Sequence, residues 1–215
     1  MAGVDPAVSA PLAPTLALAA ATIGALHALA PDHWLPIAAV GRARSWSVPR
    51  TARVALLCGF GHVTVSALLG VLALVSGTAV VEALGARSGA VAGVLLIGFG
   101  AAYALWGLRH LAHRHAESAT DPSRTTTWTL FAIYCADPCI AIVPIVFAAA
   151  SLSRLATVVI VVVYELATVA TMVVLAALAR AGAARVRGHW VEHYGDATAG
   201  GLIVATGMLV ALLGW

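Results

Sequence analysis

Apolar residues dominate this chain in long runs, and polar positions collect between the runs instead of alternating with them. Six runs reach the roughly 20 residues that a helix needs to cross the hydrocarbon of a bilayer: 15–40, 54–76, 89–108, 128–150, 155–179 and 197–215. The pattern predicts an all-α polytopic membrane protein with six transmembrane helices. The predicted connections are 42–53, 77–88, 109–127, a short turn at 151–154, and 180–196. Residues 1–14 carry no basic residue ahead of the first run. They therefore lack the positive start of a secretory signal and are read as mature protein.

Prolines break two of the runs: Pro31 and Pro36 in the first, Pro138 and Pro144 in the fourth. A proline has no N–H and blocks the helical bond to the carbonyl four residues back. The carbonyls of His27, Asp32, Tyr134 and Ile140 are thus expected to be released. Such groups survive at membrane depth only where protein, water or an ion satisfies them. The two breaks read alike, Pro31-Asp32-His33-Trp34-Leu35-Pro36-Ile37 and Asp137-Pro138-Cys139-Ile140-Ala141-Ile142-Val143-Pro144-Ile145. Each leads to a run with one mid-depth ionisable residue, His62 or Glu165. Three runs per half is an odd number, so the halves would be inverted in the membrane, an arrangement that transporters use to build a midplane site. The chain is read as one integral membrane domain, 1–215, with repeats at about 15–108 and about 128–215.

Composition supports the class. The chain is 61% hydrophobic and 10% charged, against about 25% charged in soluble domains. All 12 basic residues are arginines, and the net charge is +3. Arg42, Arg44, Arg50 and Arg53 follow the first run, Arg109, Arg114 and Arg124 the third, and Arg180, Arg185 and Arg187 the fifth. Only Arg87 and Arg154 lie on the opposite side. Positive loops stay in the cytoplasm, so both termini are expected outside a plasma-membrane protein. A nucleic-acid partner needs a clustered basic face, which this loop-bound pattern does not provide. Cys58, Cys135 and Cys139 all fall in apolar runs, which argues against an extracellular disulfide framework.

The first run holds His27, Asp32 and His33. Ionisable groups at this depth are costly and mark ion or substrate paths. At about 100° per residue a regular helix would scatter the three around its circumference, whereas an unwound turn at Pro31 could gather them in one cavity. Imidazole suits nickel, cobalt, zinc and copper, and a carboxylate compensates charge. His62 could complete the set, because Gly59 and Gly61 allow another helix to approach closely.

These residues carry a resemblance. His27, Asp32 and His33 match the His-x4-Asp-His pattern of the nickel/cobalt transporter superfamily, including its urease-accessory-like and nickel-efflux-like relatives. Gly59-Phe60-Gly61-His62-Val63-Thr64-Val65-Ser66 resembles that family's second histidine motif. Ala30 stands where many of its importers have a further aspartate. The resemblance covers about residues 20–70. It implies a permease for a divalent transition metal, nickel or cobalt, with His27, Asp32, His33 and His62 as ligands. The ion is then transported cargo, and no tightly bound cofactor is expected.

Other readings of the same residues stay open. His27 and His62 could be hydrogen-bonded packing histidines, and Asp32-His33 an interfacial helix end anchored by Trp34. Cys135 and Cys139, four apart, would share a helix face as apolar fillers, soft-metal ligands or exchanging thiols. Asp137 and Glu165 are candidates for proton coupling or a second-half site. His110, His113 and His115 read as a solvated loop before a metal-handing one, and residues 180–194 as an interfacial amphipathic helix. The functional alternatives are a transmembrane thiol-disulfide electron carrier using Cys58, Cys135 and Cys139, and a non-transport subunit of a membrane complex. No nucleophile–base pair or His-Glu-x-x-His helix is present, so the chain is read as no enzyme. Its partners are the metal ion and the lipid bilayer; homo-oligomerisation stays open.

Overall fold

The computed structural model describes residues 6–112, 122–137, 139, 141–185 and 194–213. Every regular element among them is helical: α1 (Pro6–Ala28), a 3-10 turn (Pro31–His33), α2 (Leu35–Ala43), α3 (Val48–Ser76), α4 (Thr78–Ala112), α5 (Pro122–Cys135), α6 (Ile142–Ala150), α7 (Arg154–Ala183) and α8 (Gly195–Leu213). The boundaries follow local chemistry. The Ser47 hydroxyl accepts from Arg50 N–H at the start of α3, and Ser153 accepts from Ala156 N–H at the start of α7, which satisfies donors that a helix start leaves unpaired. Gly77 ends α3 with φ +86°, a conformation that favours glycine. The predicted connection 77–88 is mostly not a loop, because α4 begins at Thr78. The first and fourth runs are interrupted, as their prolines predict.

Among the described residues, four helices are long and apolar enough to cross a membrane: α3, α7, α8 and Ala90–Arg109 of α4; a shorter apolar helix covers Leu12–Ala28. Large apolar side chains such as Val75, Leu155, Leu18 and Leu212 point outward, the last 83% exposed. So much outward apolar surface suits lipid, not water. This is a membrane-embedded helical protein.

Small residues decide the tightest packing. Gly93, Gly100 and Gly107 recur every seven residues along one face of α4, which runs antiparallel to α8. A Cβ on Gly100 would come within 2.7 Å of the Gly200 carbonyl and the Val204 nitrogen, and one on Gly207 within 2.7 Å of the Gly93 carbonyl. Backbone therefore lies on backbone, as small residues allow between membrane helices. Elsewhere α3 packs on α7, α1 lies on α7 and α5 on α3, and α2 and α6 each touch both α3 and α7. The expected close approach at the second run is present: Gly59 faces Val169 and Met172 of α7, while Gly61 faces Phe131 and Cys135 of α5.

The ends of α2, α4 and α7 and the start of α8 meet at one end of the bundle. Arg42 donates to the Ala183 carbonyl and Arg180 donates back to the Gly41 carbonyl, at 3.1 and 3.2 Å. Arg44 donates to the Tyr103 hydroxyl (2.8 Å), which donates to Asp196 (2.7 Å), and the Arg44 guanidinium stacks over Trp106. Planar, weakly hydrated guanidinium suits both contacts. His110 lies near the end of α4; His113, His115 and most of the proposed amphipathic helix fall outside the described residues, while Arg180 continues α7.

Gly100→Leu should force α4 from α8 and cost about 1–3 kcal/mol, the range for overpacking. Thermal unfolding in detergent would register it as a lowered midpoint. Gly98→Leu is the control, since a Cβ there meets nothing within 4 Å. Equal midpoints for the two variants would contradict the close-packed seam.

Candidate metal centre

Helix α1 stops at Ala28, and the chain then turns through the 3-10 segment Pro31–His33 before α2 starts. This reversal folds His33 back over His27. Their Nε2 atoms lie 2.9 Å apart, and His33 Nδ1 lies 3.0 Å from Asp32 Oδ1. Asp32 and His33 are buried, and His27 is partly buried. A carboxylate accepts and does not donate, so His33 carries its hydrogen on Nδ1 and presents Nε2 to His27. Carboxylate-oriented imidazole of this kind is the usual support of a metal-binding histidine.

His62 approaches from α3. Its ring centroid lies 5.1 Å from that of His33 and 6.0 Å from that of His27, while the His27 and His33 centroids are 4.3 Å apart. Three imidazoles, from α1, the 3-10 turn and α3, thus converge on one interior volume. His62 is 1% exposed, and neither ring nitrogen has a hydrogen-bond partner among the described residues. The Tyr134 backbone lies beside the ring, short of hydrogen-bond geometry. Such an orphaned polar group costs about 1–3 kcal/mol and calls for a water or an ion.

Residues of the second half hold the breaks from the other side. The Tyr134 hydroxyl at the end of α5 donates to the Asp32 carbonyl at 2.8 Å. The acceptor that Pro36 releases is therefore satisfied by the other break. Pro31 acts differently from expectation: the His27 carbonyl is not free, because Ala30 N–H bonds to it at 3.1 Å in the tightened turn. Pro138 and Ile140 lie outside the described residues. Ser66, one turn beyond His62, donates to the His62 carbonyl (2.8 Å) and accepts Cys139 N–H (2.8 Å). One hydroxyl so fixes the second break against α3.

The remaining candidates separate. Cys139 is buried and grouped with His27 and His62, whereas Cys135 ends α5 against Gly61. They do not share a helix face, because α5 stops at Cys135 and Cys139 lies beyond its end. All three cysteines are free thiols. Asp137 lines a small cleft with Asp32 and Tyr134. Glu165 is half-buried on α7, with no hydrogen bond or ion pair among the described residues, and is not part of the histidine cluster. Ser66, Tyr134 and Tyr164 were not read as site residues from sequence. The available signal was a hydroxyl inside an apolar run, since buried tyrosine usually finds a partner.

Ser66→Ala should leave Cys139 N–H buried and unpaired, lowering stability by about 1–3 kcal/mol, with recovery in Ser66→Thr. A denaturation midpoint unmoved by the alanine would show that the bridge contributes nothing. Comparison of the chain with protein-family models, curated proteins and solved structures finds no match.

Proposed function

We propose that the chain is a membrane permease for a divalent transition-metal cation, nickel or cobalt, with His27, Asp32, His33 and His62 forming the binding site. The observation that carries this reading is the convergence of three imidazoles, His33 oriented by the Asp32 carboxylate and His62 buried with both ring nitrogens orphaned. Burial of that many ionisable groups is costly unless they serve an ion or proton path. Imidazole donors select borderline transition metals over hard cations. The resemblance of His27-x4-Asp32-His33 to nickel/cobalt transporters supports the same cargo.

In this reading six segments cross the plasma membrane as a 3+3 inverted repeat, with both termini outside. Packing supports it. Exchanging the halves turns the α1–α7 contact into α5–α3 and α2–α7 into α6–α3, and it maps α3–α7 and α4–α8 onto themselves. The α2–α8 contact has no counterpart of similar extent, so the exchange is approximate. The gathering of Arg42, Arg44 and Arg180 at one end of the bundle supports a single cytoplasmic face. Metal would bind between the breaks and leave when the halves rock. Asp137, which lines a cleft with Asp32, would carry compensating protons in this reading.

In proteoliposomes, His27→Ala with Asp32→Ala should abolish nickel or cobalt flux, and Asp32→Asn alone should weaken metal binding by about 10–100-fold, as loss of an orienting carboxylate does. Flux indifferent to the double change would reject the permease. Protonated imidazole has no lone pair for a metal, so affinity is full where the imidazoles are neutral and falls as pH is lowered into the range where they take up protons. Calorimetric titration across that range checks the sign.

A further inference from the structure

The permease reading draws its ligands from the first half of the chain. One atom of the second half enters the same space. Cys139 lies in the interruption between α5 and α6, yet its Sγ and one nitrogen each from His27 and His62 lie within 4.8 Å of one another. The thiol is 3% exposed, so it is no surface feature. His62 supplies an independent sign of a missing ligand, since it is almost fully buried with both ring nitrogens unpartnered. No hydroxyl, carbonyl or carboxylate among the described residues satisfies them.

The position of this thiol is held on both sides. Its own N–H is fixed to Ser66 Oγ, which is bonded to the His62 carbonyl. The sulfur is thereby placed relative to the imidazole by one intervening side chain. On the other side the Tyr164 hydroxyl of α7 lies 2.7 Å from Sγ. A hydroxyl there can donate to sulfur once the sulfur is anionic, the support that outer groups give a ligating thiolate. Metal–nitrogen and metal–sulfur bonds of about 2.0–2.1 and 2.3 Å imply tetrahedral donor separations of about 3.4–3.7 Å. The present cluster reaches those separations with shifts of about 1 Å.

We propose that Cys139 is a metal ligand that closes a site of two imidazole nitrogens and one sulfur with His27 and His62, and that its thiolate sets the class of cargo. The inference rests on the permease reading of the same cavity. On binding, the Cys139 S–H bond breaks, a sulfur–metal bond forms from the electron pair left on sulfur, and the proton passes to water. No electron is transferred and the metal keeps its oxidation state. Thiolate with two imidazoles favours borderline and soft divalent ions such as cobalt, nickel, zinc and cadmium, and disfavours magnesium, calcium and manganese. The ion also ties the second break to α1 and α3, so both halves of the chain hold the cargo at once.

The test uses the purified full chain in detergent, with cobalt(II) as probe. A Cys58→Ala, Cys135→Ala protein keeps Cys139 as its sole thiol. Cobalt should give visible ligand-field bands together with a near-ultraviolet thiolate-to-cobalt charge-transfer band. Adding Cys139→Ser should remove the near-ultraviolet band, keep the visible bands of imidazole-bound cobalt, and weaken cadmium binding by at least about tenfold. Cobalt X-ray absorption on the unmodified protein needs no variant to fold and should show one sulfur scatterer. Visible bands without a sulfur signal would overturn the Cys139 assignment and leave the permease standing. No bound cobalt in any form would overturn the permease reading as well.

Discussion

A helix interrupted inside a membrane-embedded protein leaves backbone groups that need partners within the protein, and this constraint organises the molecule. The first run is broken at 29–34 and the fourth at 136–141. Each break finds a partner inside the protein. The Asp32 carbonyl takes the Tyr134 hydroxyl, and Cys139 N–H takes Ser66, which also holds the His62 carbonyl. Two defects that would each be unstable in hydrocarbon are compatible once they face the same interior. The ionisable side chains come with them, because the chain between interrupted helices is where Asp32, His33 and Cys139 are carried.

Around that interior the scaffold is rigid in a particular way. Gly100 and Gly200 bring α4 and α8 into backbone contact, so this pair acts as one thick element. Arg44, Tyr103 and Asp196 tie the same pair to the end of α2, and Arg42 and Arg180 tie α2 to α7. Surface ion pairs are weak one by one; here Arg42 and Arg180 instead bond carbonyls at the ends of α7 and α2. The histidines are carried by α1, the 3-10 turn and α3, and the 3-10 turn also touches α8.

Much of this could be read from residue order. Long apolar runs demanded helices, and prolines demanded the two interruptions. The crowding of His27, Asp32 and His33 near Pro31 pointed to an unwound turn. The seven-residue spacing of glycines in α4 is legible in the same way, although the helix it meets is not. The relation between Cys135 and Cys139 misled, because helical spacing applies only while the helix lasts, and α5 ends at Cys135. The His27 carbonyl misled for a related reason: a 3-10 turn can use a carbonyl that an α-helix would have lost to proline.

What residue order determined alone is the helical, membrane-embedded class of the protein and the two interrupted runs, because apolar length and proline chemistry act locally. It also pointed to an unwound turn at Pro31 as the way His27, Asp32 and His33 could meet. Only tertiary structure decided that His62 and Cys139 join them, from positions 35 and more than 100 residues along the chain. It also decided that Ser66, Tyr134 and Tyr164 hold them there. Those choices depend on which small faces allow two helices to touch, and that is a property of pairs of segments, not of either segment by itself.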